Sequence, residues 1–516
     1  MMRTYAQAID CLNGLQSNAA TIEATRRSGG KGGDIQLAEQ VEYMRRVGYE
    51  PADLDRMNVL HITGTKGKGS TSAFVSSVLT TIAPDARVGL YTSPHMVAVR
   101  ERIRINGEPI SEDLFARYFF EVWDKLEQNR PPSGDEMAEK PAYFRYLTIM
   151  AMHVFLQEKV DATILEVGIG GTYDSTNIVP KPITTGVTAL GIDHIWVLGK
   201  TLPEIAHQKG GIYKPDVPAL AIQQAEGLDV LESRAKELKA SSFTVIPEHP
   251  QLKDVKLGLA GAHQRSNASL AVALVQSFLA SPRCPPAFSS LAPSPGPSSP
   301  TPGPSTLPTL PTELVAPNPL PASIVVGLER ASWPGRCQLA TDKVQDRVRW
   351  HLDGAHTVES LKCCGEWFDE AALQSDSPSN RVLIFNCTSG RSGLSLLGAL
   401  LDSFSASSRQ PFQHVVFCTN TTYSTGSSKG DLTSNAVDAK DLETLATQNE
   451  LAAAWRELVS QLPGAPADAQ VHVLGSVQEA VELVRAQADK GERVDALVTG
   501  SLHLVGGVMA VAELPL

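Results

Sequence analysis

A glycine-rich run at positions 64–71 constrains the fold of this chain more than any other stretch of its sequence. It reads Gly-Thr-Lys-Gly-Lys-Gly-Ser-Thr, follows an apolar run at 59–63 and precedes a helical pattern. A strand, a glycine-rich turn and a helix in this order are typical of a phosphate-binding loop, because backbone N–H groups and a helix N-terminus then surround the anion. We predict that Lys68 neutralises the terminal phosphates of a nucleotide, although Gly69 separates this lysine from Ser70, unlike the strict motif.

Length and composition narrow the class of protein. At 516 residues the chain is long enough for two or more domains. Its net charge of −11 and pI near 5.6 argue against nucleic-acid binding. The seven cysteines are scattered without a C-x-x-C pair, which favours reduced thiols. No apolar stretch is long enough to span a bilayer, and the N-terminus lacks the apolar core of a signal peptide. We therefore expect a cytoplasmic protein, with a mitochondrial form only from another start.

Apolar runs rich in β-branched residues recur after position 59 and alternate with helical patterns. Such runs, for example at 162–167 and 185–190, predict a parallel sheet covered by helices on both faces. We expect the apolar run at 144–156 to contribute a strand as well. Ligands bind at the carboxyl ends of the strands in this architecture. The candidate site is therefore the set of segments that follow predicted strands: 64–71, 93–95, 166–171 and 193–194.

Glu166 ends one predicted strand, and a glycine-rich turn at 167–171 follows it. A buried carboxylate is costly without a cation. Next to a phosphate loop we expect that cation to be Mg²⁺, which prefers carboxylate, water and phosphate oxygens. The alternative is a carboxylate that accepts hydrogen bonds from the amides of the glycine turn. Ser93 and His194 follow two other predicted strands, so we expect them to be further ligands of the ion.

The composition changes abruptly at 281–323, where proline, serine and glycine dominate. This composition predicts an extended or disordered linker rather than a packed element. Strand patterns beyond it predict a second α/β domain. In that domain Arg336 offers a planar cation for a base or a phosphate, and Asp353 can accept hydrogen bonds from ribose hydroxyls.

The order of these motifs resembles that of the folylpolyglutamate synthases, a family within the Mur-ligase superfamily of ATP-dependent amide-forming enzymes. The resemblance covers nearly the whole chain except the proline-rich insert. Any one motif is modest evidence, whereas the full series in this order is highly specific. The motifs lie at 15–18, 64–70, 92–95, 100–107, 166–171, 191–194, 208–212, 261–264, 333–336, 353–356 and 499–507.

The resemblance implies an organisation and a reaction. It implies an α/β fold with a P-loop ATPase domain and a largely parallel sheet at 1–282, a Pro/Ser-rich insert at 283–323, and a smaller Rossmann-like domain at 324–516. ATP would phosphorylate the γ-carboxylate of a folate or tetrahydrofolate, and the amine of L-glutamate would then displace phosphate. The implied cofactors are ATP and Mg²⁺, with a monovalent cation such as K⁺ as a further ion, and the implied state is a monomer.

The resemblance also assigns roles to residues. Implied catalytic residues are Lys68, Glu166, His194 and Lys209. Implied ATP contacts are Thr65, Lys66, Gly67, Lys68, Gly69, Ser70, Asn267, Arg336 and Asp353. Implied magnesium ligands are Ser93, Glu166 and His194, and implied glutamate-positioning residues are His356 and Ser501. Lys209 matches a lysine that is carbamylated in some relatives. Its neighbours Gln208 and Gly210 replace the Glu and Ala of many bacterial relatives, which leaves carbamylation open.

Two other functions compete with this interpretation. The nearest is a dihydrofolate synthase, which joins glutamate to dihydropteroate with the same ATP chemistry. The motifs at 16–18 and 208–211 favour polyglutamylation over that reaction. The other is an NTP-driven switch or binding protein, which would consume nucleotide without folate or glutamate. The motif at 353–356 in the second domain disfavours such a switch.

Overall fold

The computed structural model describes residues 3–16, 33–131, 137–291, 307–373, 379–387, 392–404, 412–424, 444–461 and 469–515. Ser17 and Asn18 of the first motif lie outside the described residues. The chain forms two compact units. The first comprises Met1–His95, Arg100–Gly258 and Ala262–Ser332, and the second comprises Met96–Val99, Leu259–Gly261 and Trp333–Leu516. The first unit thus continues past position 323, where the sequence pattern places the start of the second domain.

An eight-stranded sheet forms the centre of the first unit, in the order β4-β3-β2-β5-β1-β6-β7-β8. Its strands are β1 (Val59–Thr63), β2 (Val88–Tyr91), β3 (Ile103–Ile105), β4 (Glu108–Pro109), β5 (Ala162–Glu166), β6 (Thr184–Val187), β7 (Pro218–Ile222) and β8 (Ser242–Ile246). From β2 to β8 all neighbours are parallel, whereas β3 and β4 add an antiparallel edge. β1, β5 and β6 are buried at every residue, as expected for strands covered on both faces. The largely parallel sheet predicted for this part of the chain is therefore confirmed.

Helices connect these strands. They are α1 (Tyr5–Asn13), α2 (Gly33–Val47), α3 (Lys68–Ile82), α4 (Glu112–Gln128), α5 (Tyr143–Gln157), α6 (Ile195–Leu198), α7 (Leu202–Gly210), α8 (Leu228–Glu237), α9 (Gln264–Leu279), α10 (Thr312–Val315) and α11 (Ala322–Arg330). α3 packs against α9 and α11. No described helix has both the length and the apolar character needed to cross a bilayer.

The apolar run at 144–156 belongs to helix α5, so the expected strand is wrong. Ten consecutive residues from Tyr146 to Phe155 are buried. A helix that is buried all round shows no alternation of apolar and polar residues. Periodicity therefore cannot separate it from a buried strand, and only its length argues for a helix.

The described part of the proline-rich insert is packed, which differs from the extended linker expected from its composition. Phe288 is fully buried and meets Phe278 of α9 edge to face, with ring centroids 5.3 Å apart. The amide of Phe243 in β8 donates to the carbonyl of Pro308 at 2.9 Å. A buried ring and a proline carbonyl thus join this segment to helix α9 and strand β8. Residues 292–306 lie outside the described residues.

A six-stranded sheet forms the second unit, in the order β13-β12-β11-β14-β10-β9. Its strands are β9 (Gln338–Thr341), β10 (Val348–Leu352), β11 (Asn380–Phe385), β12 (His414–Cys418), β13 (Gln470–Leu474) and β14 (Val494–Thr499). Its helices are α12 (Val358–Leu373), α13 (Gly393–Leu401), α14 (Ala446–Gln461), α15 (Val477–Ala488) and α16 (Leu502–Val511). All neighbours are parallel except the edge strand β9. This parallel sheet with its connecting helices matches the predicted second α/β domain.

We predict that Phe288→Ala lowers the free energy of unfolding by about 3 kcal/mol, because it removes a fully buried ring and leaves a cavity. Urea denaturation followed by circular dichroism measures the change. Ser290→Ala, at an exposed position of the same segment, serves as the control. Equal stability of the two variants would show that the insert does not pack on the first unit in solution.

Candidate active site

The glycine-rich run 64–71, called the phosphate loop below, directly follows β1 and includes the first turn of α3. Gly64 and Gly67 adopt φ values of 149° and 88°, which favour glycine because a side chain would be strained there. α3 begins at Lys68, directly after Gly67. The first amides of a helix have no acceptor within the helix, so they are available to an anion at this end of the loop.

The segment after β6 fixes the shape of the phosphate loop. The amides of Thr65 and Lys66 donate to the carbonyl of Ala189 at 2.8 and 3.1 Å. In return, the hydroxyl of Thr188 donates to the carbonyl of Lys66 at 2.7 Å. The hydroxyl of Thr65 donates to the carbonyl of Gly191 at 3.0 Å. The conformation of the loop therefore depends on the neighbouring strand as well as on its own glycines.

Two lysine side chains converge on one carbonyl oxygen of the phosphate loop. The Nζ atoms of Lys68 and Lys209 donate to the carbonyl of Gly64 at 3.0 and 2.7 Å. Lys209 is only 3% exposed. Burial, reinforced by the positive charge of Lys68, lowers the pKa of Lys209 to about 7. Lys209 therefore exchanges its proton near neutral pH, unlike an ordinary lysine.

The first turn of α9 packs against the phosphate loop. A Cβ atom added to Gly67 would lie 2.2 Å from Oδ1 of Asn267. Gln264 donates from Nε2 to Oγ of Ser70 at 3.3 Å and accepts from Nδ2 of Asn267 at 2.9 Å. The structure thus places Asn267 beside the loop, as the resemblance implies. It adds Gln264, which the sequence analysis did not include among the site residues.

Glu166 and Ser93 lie together at the carboxyl edge of the sheet. Glu166 ends β5 and pairs in register with Ile62 of β1, the strand that leads into the phosphate loop. It is 4% exposed, and its Oε2 accepts the amide of Ser93 at 3.2 Å. The structure therefore brings two of the three expected magnesium ligands into contact.

Asp174 holds the glycine turn that follows Glu166, and sequence reasoning missed it. Its Oδ2 accepts the amides of Gly168 and Ile169 at 3.1 and 3.2 Å, and its Oδ1 accepts the amide of Thr176 at 2.9 Å. Burial raises the pKa of Asp174, while these hydrogen bonds oppose that shift. Asp174 caps the short 3-10 helix Ser175–Ile178, and the preference of helix N-termini for Asp is the sequence signal that could have drawn attention to it.

His194 lies after β6 and directly precedes the short helix α6, with a φ of 48°. Its side chain is nearly half exposed. Partial burial lowers the pKa of His194, Asp193 opposes that shift, and the positive charges of Lys68 and Lys209 add to it. At neutral pH the imidazole is therefore uncharged, which is the form that can act as a metal ligand.

The expected ligands Ser93, Glu166 and His194 offer one hydroxyl, one buried carboxylate and one neutral imidazole. Among the described residues, no group of three His, Cys, Asp or Glu side chains converges to hold a metal ion. Mg²⁺ usually takes one or two carboxylates and completes its shell with water and phosphate oxygens. These residues therefore fit a magnesium ion that is shared with a nucleotide, and they do not fit a closed protein cage.

In the second unit, Arg336 and Asp353 lie against one loop. Asp353 directly follows β10, and its Oδ1 and Oδ2 accept the amides of Ala355 and Cys337, each at 2.8 Å. A Cβ atom added to Gly354 would lie 2.8 Å from Nη1 of Arg336. The guanidinium group therefore rests on the loop whose first residue is Asp353.

His356 and Ser501 lie at the same edge of the second sheet. Nδ1 of His356 lies 2.9 Å from the carbonyl oxygen of Gly354, a hydrogen-bond distance. Ser501 is 8% exposed and precedes α16. The amide of Gly500 donates to the carbonyl of Ala355 at 2.9 Å, which joins the ends of the neighbouring strands β10 and β14. All four predicted residues of the second unit thus surround one strand-end region.

Comparison with known proteins places this chain among ligases. Residues 336–511 match the family model described as dihydrofolate synthetase, C-terminal domain. The folylpolyglutamate synthase of Neurospora crassa is 41% identical over 99% of this chain and 92% of its own length. A crystal structure of Mycobacterium tuberculosis folylpolyglutamate synthase complexed with ADP and AMPPCP shares the fold, with a TM-score of 0.65, 21% identity, and coverage of 92% of this chain and 95% of that one. A structure of an FPGS-AMPPCP-folate complex gives a TM-score of 0.62 at 20% identity, over 99% of this chain and 100% of that one.

We predict that Gly67→Ala weakens binding of an ATP analogue at least tenfold, because the new methyl group would collide with Asn267 Oδ1 and displace the loop. Isothermal titration calorimetry with AMPPCP measures the affinity. Gly107→Ala is a matched control, since Gly107 has a φ of 86° but no atom within 4 Å of an added Cβ. Equal affinities for the two variants would contradict a role for the packed loop geometry.

Proposed function

The chain belongs to the folylpolyglutamate synthase family, and we propose that its phosphate loop activates the γ-carboxylate of folate polyglutamates, including tetrahydrofolate forms, for capture by L-glutamate. The protein is an ATP-dependent ligase that adds glutamate to folate. The observation that carries the proposal is the position of Lys68, at the first turn of a helix and directly after a glycine-rich turn. An anion bound there meets backbone amides and an ammonium group together.

The chemistry explains why such a loop is needed. A carboxylate is a poor acyl donor because its oxygen is a poor leaving group. In the proposed reaction a γ-carboxylate oxygen attacks the terminal phosphorus of ATP, and ADP leaves. The amine of glutamate then attacks the acyl carbon, and phosphate departs with the former carboxylate oxygen. Phosphoryl transfer requires charge neutralisation more than covalent assistance. Lys68 and the amides of the phosphate loop would supply that neutralisation.

The remaining residues of the first unit support this step. We propose that Thr65, Lys66, Gly67, Gly69, Ser70 and Asn267 complete the phosphate site around Lys68. Ser93, Glu166 and His194 would hold Mg²⁺, which when bound neutralises negative charge on the phosphates. The contact between Glu166 and the amide of Ser93 supports the pairing of these two ligands. A role for K⁺ stays a prediction.

In the second unit we propose that Arg336 and Asp353 bind the nucleotide and that His356 and Ser501 position glutamate. The fixed carboxylate of Asp353 suits hydroxyl donors, and the planar guanidinium of Arg336 suits a phosphate or a base. We also propose a monomer that acts in the cytoplasm. All seven cysteines are thiols, which suits a reducing compartment.

Dihydrofolate synthase activity is the second candidate, because the matching family model carries that name. The full-length relatives favour polyglutamylation instead. Incorporation of labelled glutamate into tetrahydrofolate and into dihydropteroate, measured side by side with ATP present, distinguishes the two. We expect tetrahydrofolate to be the substrate. ATP consumption that is independent of both folate and glutamate would instead indicate a nucleotide-driven switch.

We predict that Lys68→Ala and Glu166→Ala each lower folate- and glutamate-dependent ADP formation by at least about 100-fold. The first removes a cation that neutralises the phosphates, and the second removes the carboxylate that would hold Mg²⁺. A coupled ADP assay measures the rates. Lys253→Ala and Glu313→Ala remove the same charge types at exposed positions of the first unit and should retain activity. Near-normal turnover of either site variant would overturn the assignment.

We predict that Lys209 forms a carbamate whose amount increases as the pH rises through about 7. A carbamate forms only from a neutral amine, and burial lowers the pKa of Lys209 to about 7, so the reactive fraction grows above that pH. NMR spectroscopy with ¹³C-labelled bicarbonate measures the signal, and Lys209→Met provides the control. A spectrum that is identical in the variant would show that Lys209 acts as a free amine.

A further inference from the structure

Cys337 combines a strained backbone with two contacts to a single carboxylate oxygen. Its φ of 46° lies in the left-handed region, which residues other than glycine adopt only when their surroundings enforce it. Its amide donates to Oδ2 of Asp353 at 2.8 Å, and its Sγ lies 3.4 Å from the same oxygen. Neither the sequence motifs nor the proposed chemistry gives this residue a role.

The contacts of Cys337 fix the orientation of Asp353. The other carboxylate oxygen, Oδ1, accepts the amide of Ala355 at 2.8 Å, so both oxygens are engaged. Asp353 is 8% exposed, and a buried carboxylate with donors on both oxygens has little freedom to rotate. Without the amide and thiol of Cys337, only Oδ1 of Asp353 would keep a donor, and the carboxylate would rotate more freely.

The left-handed backbone at Cys337 also helps to orient the side chain of Arg336. Gly335 and Cys337 have φ values of 65° and 46°, so two left-handed residues flank Arg336 on both sides. The amide of Gly335 donates to Oε1 of Gln338 at 2.8 Å, and the amide of Arg336 donates to the carbonyl of Trp333 at 3.3 Å. This tight turn directs the Arg336 side chain onto the loop of Asp353.

The thiol of Cys337 is a donor and not a thiolate. Burial raises the pKa of Cys337, and the negative charge of Asp353 raises it further. The side chain also packs against an apolar cluster that contains Ala355 and Cys364. Its contact with Asp353 is therefore a hydrogen bond from a neutral thiol to a carboxylate, and a thiolate there would repel that carboxylate.

We propose that Cys337 is a positioning residue for nucleotide binding: its left-handed backbone and its thiol hold Asp353 and Arg336 in the orientation that receives ATP. This inference rests on the proposed role of Asp353 and Arg336 in binding the nucleotide. Cys337 itself need not touch the substrate.

The test compares the KM for ATP with the KM for tetrahydrofolate in variants at position 337. Glycine accepts a left-handed φ without strain, alanine resists it and valine resists it most. We expect the KM for ATP to rise in the order Cys337→Gly, Cys337→Ala, Cys337→Val, with roughly a tenfold increase for valine. Cys337→Ser keeps a side-chain donor, so it should raise the KM for ATP less than Cys337→Ala does. The KM for tetrahydrofolate should change less than twofold throughout.

Controls separate this inference from the proposed function. Cys284→Ala removes a thiol in the first unit and should leave both KM values unchanged. Arg336→Ala and Asp353→Ala are measured in parallel, and if neither raises the KM for ATP, the proposed nucleotide role itself fails. If both raise it while the Cys337 variants share one KM for ATP, only the positioning role fails. If the Cys337 variants have a lower melting temperature and change the KM for ATP and the KM for tetrahydrofolate equally, the positioning role is also overturned. If Cys337→Val does not fold, the comparison of alanine with glycine decides.

Discussion

The carbonyl oxygen of Gly64 organises the catalytic end of the first unit. It accepts hydrogen bonds from both Lys68 and Lys209, two side chains whose charges would otherwise repel each other. Burial reduces that repulsion because Lys209 loses its proton readily. One lysine thus remains a cation for phosphate, while the other becomes a chemically reactive amine. The carbonyl belongs to Gly64, whose φ of 149° favours glycine.

The sequence predicts some of these features well, because they depend on local backbone requirements. The phosphate loop follows from glycines placed between a strand and a helix, and Glu166 follows from its position at a strand end. The sequence of 144–156 wrongly predicts a strand, because a helix buried on every side has no amphipathic pattern. The composition around Phe288 does not predict its packing, because it conceals single apolar residues that find a partner in the fold. The pKa of Lys209 depends on burial, which no local motif encodes.

In the second unit, too, local sequence predicts some features, whereas others depend on contacts between distant residues. Arg336 and Asp353 carry chemistry that can be read from residue type and from position relative to predicted strands. The left-handed conformation of Cys337 cannot be read in that way, because cysteine has no preference for it. It occurs together with two contacts to a carboxylate sixteen positions further along the chain. Candidate ligand-binding side chains are therefore easier to propose from a sequence than the residues that contact and orient them.

Isotope transfer tests most directly whether the protein activates a folate carboxylate by phosphorylating it. A folate substrate labelled with ¹⁸O in its γ-carboxylate, incubated with the protein, ATP and L-glutamate, should give inorganic phosphate that contains one ¹⁸O atom for each amide formed. Mass spectrometry of the released phosphate measures the label. Amide formation with unlabelled phosphate would contradict an acyl-phosphate intermediate and the account of the site that depends on it.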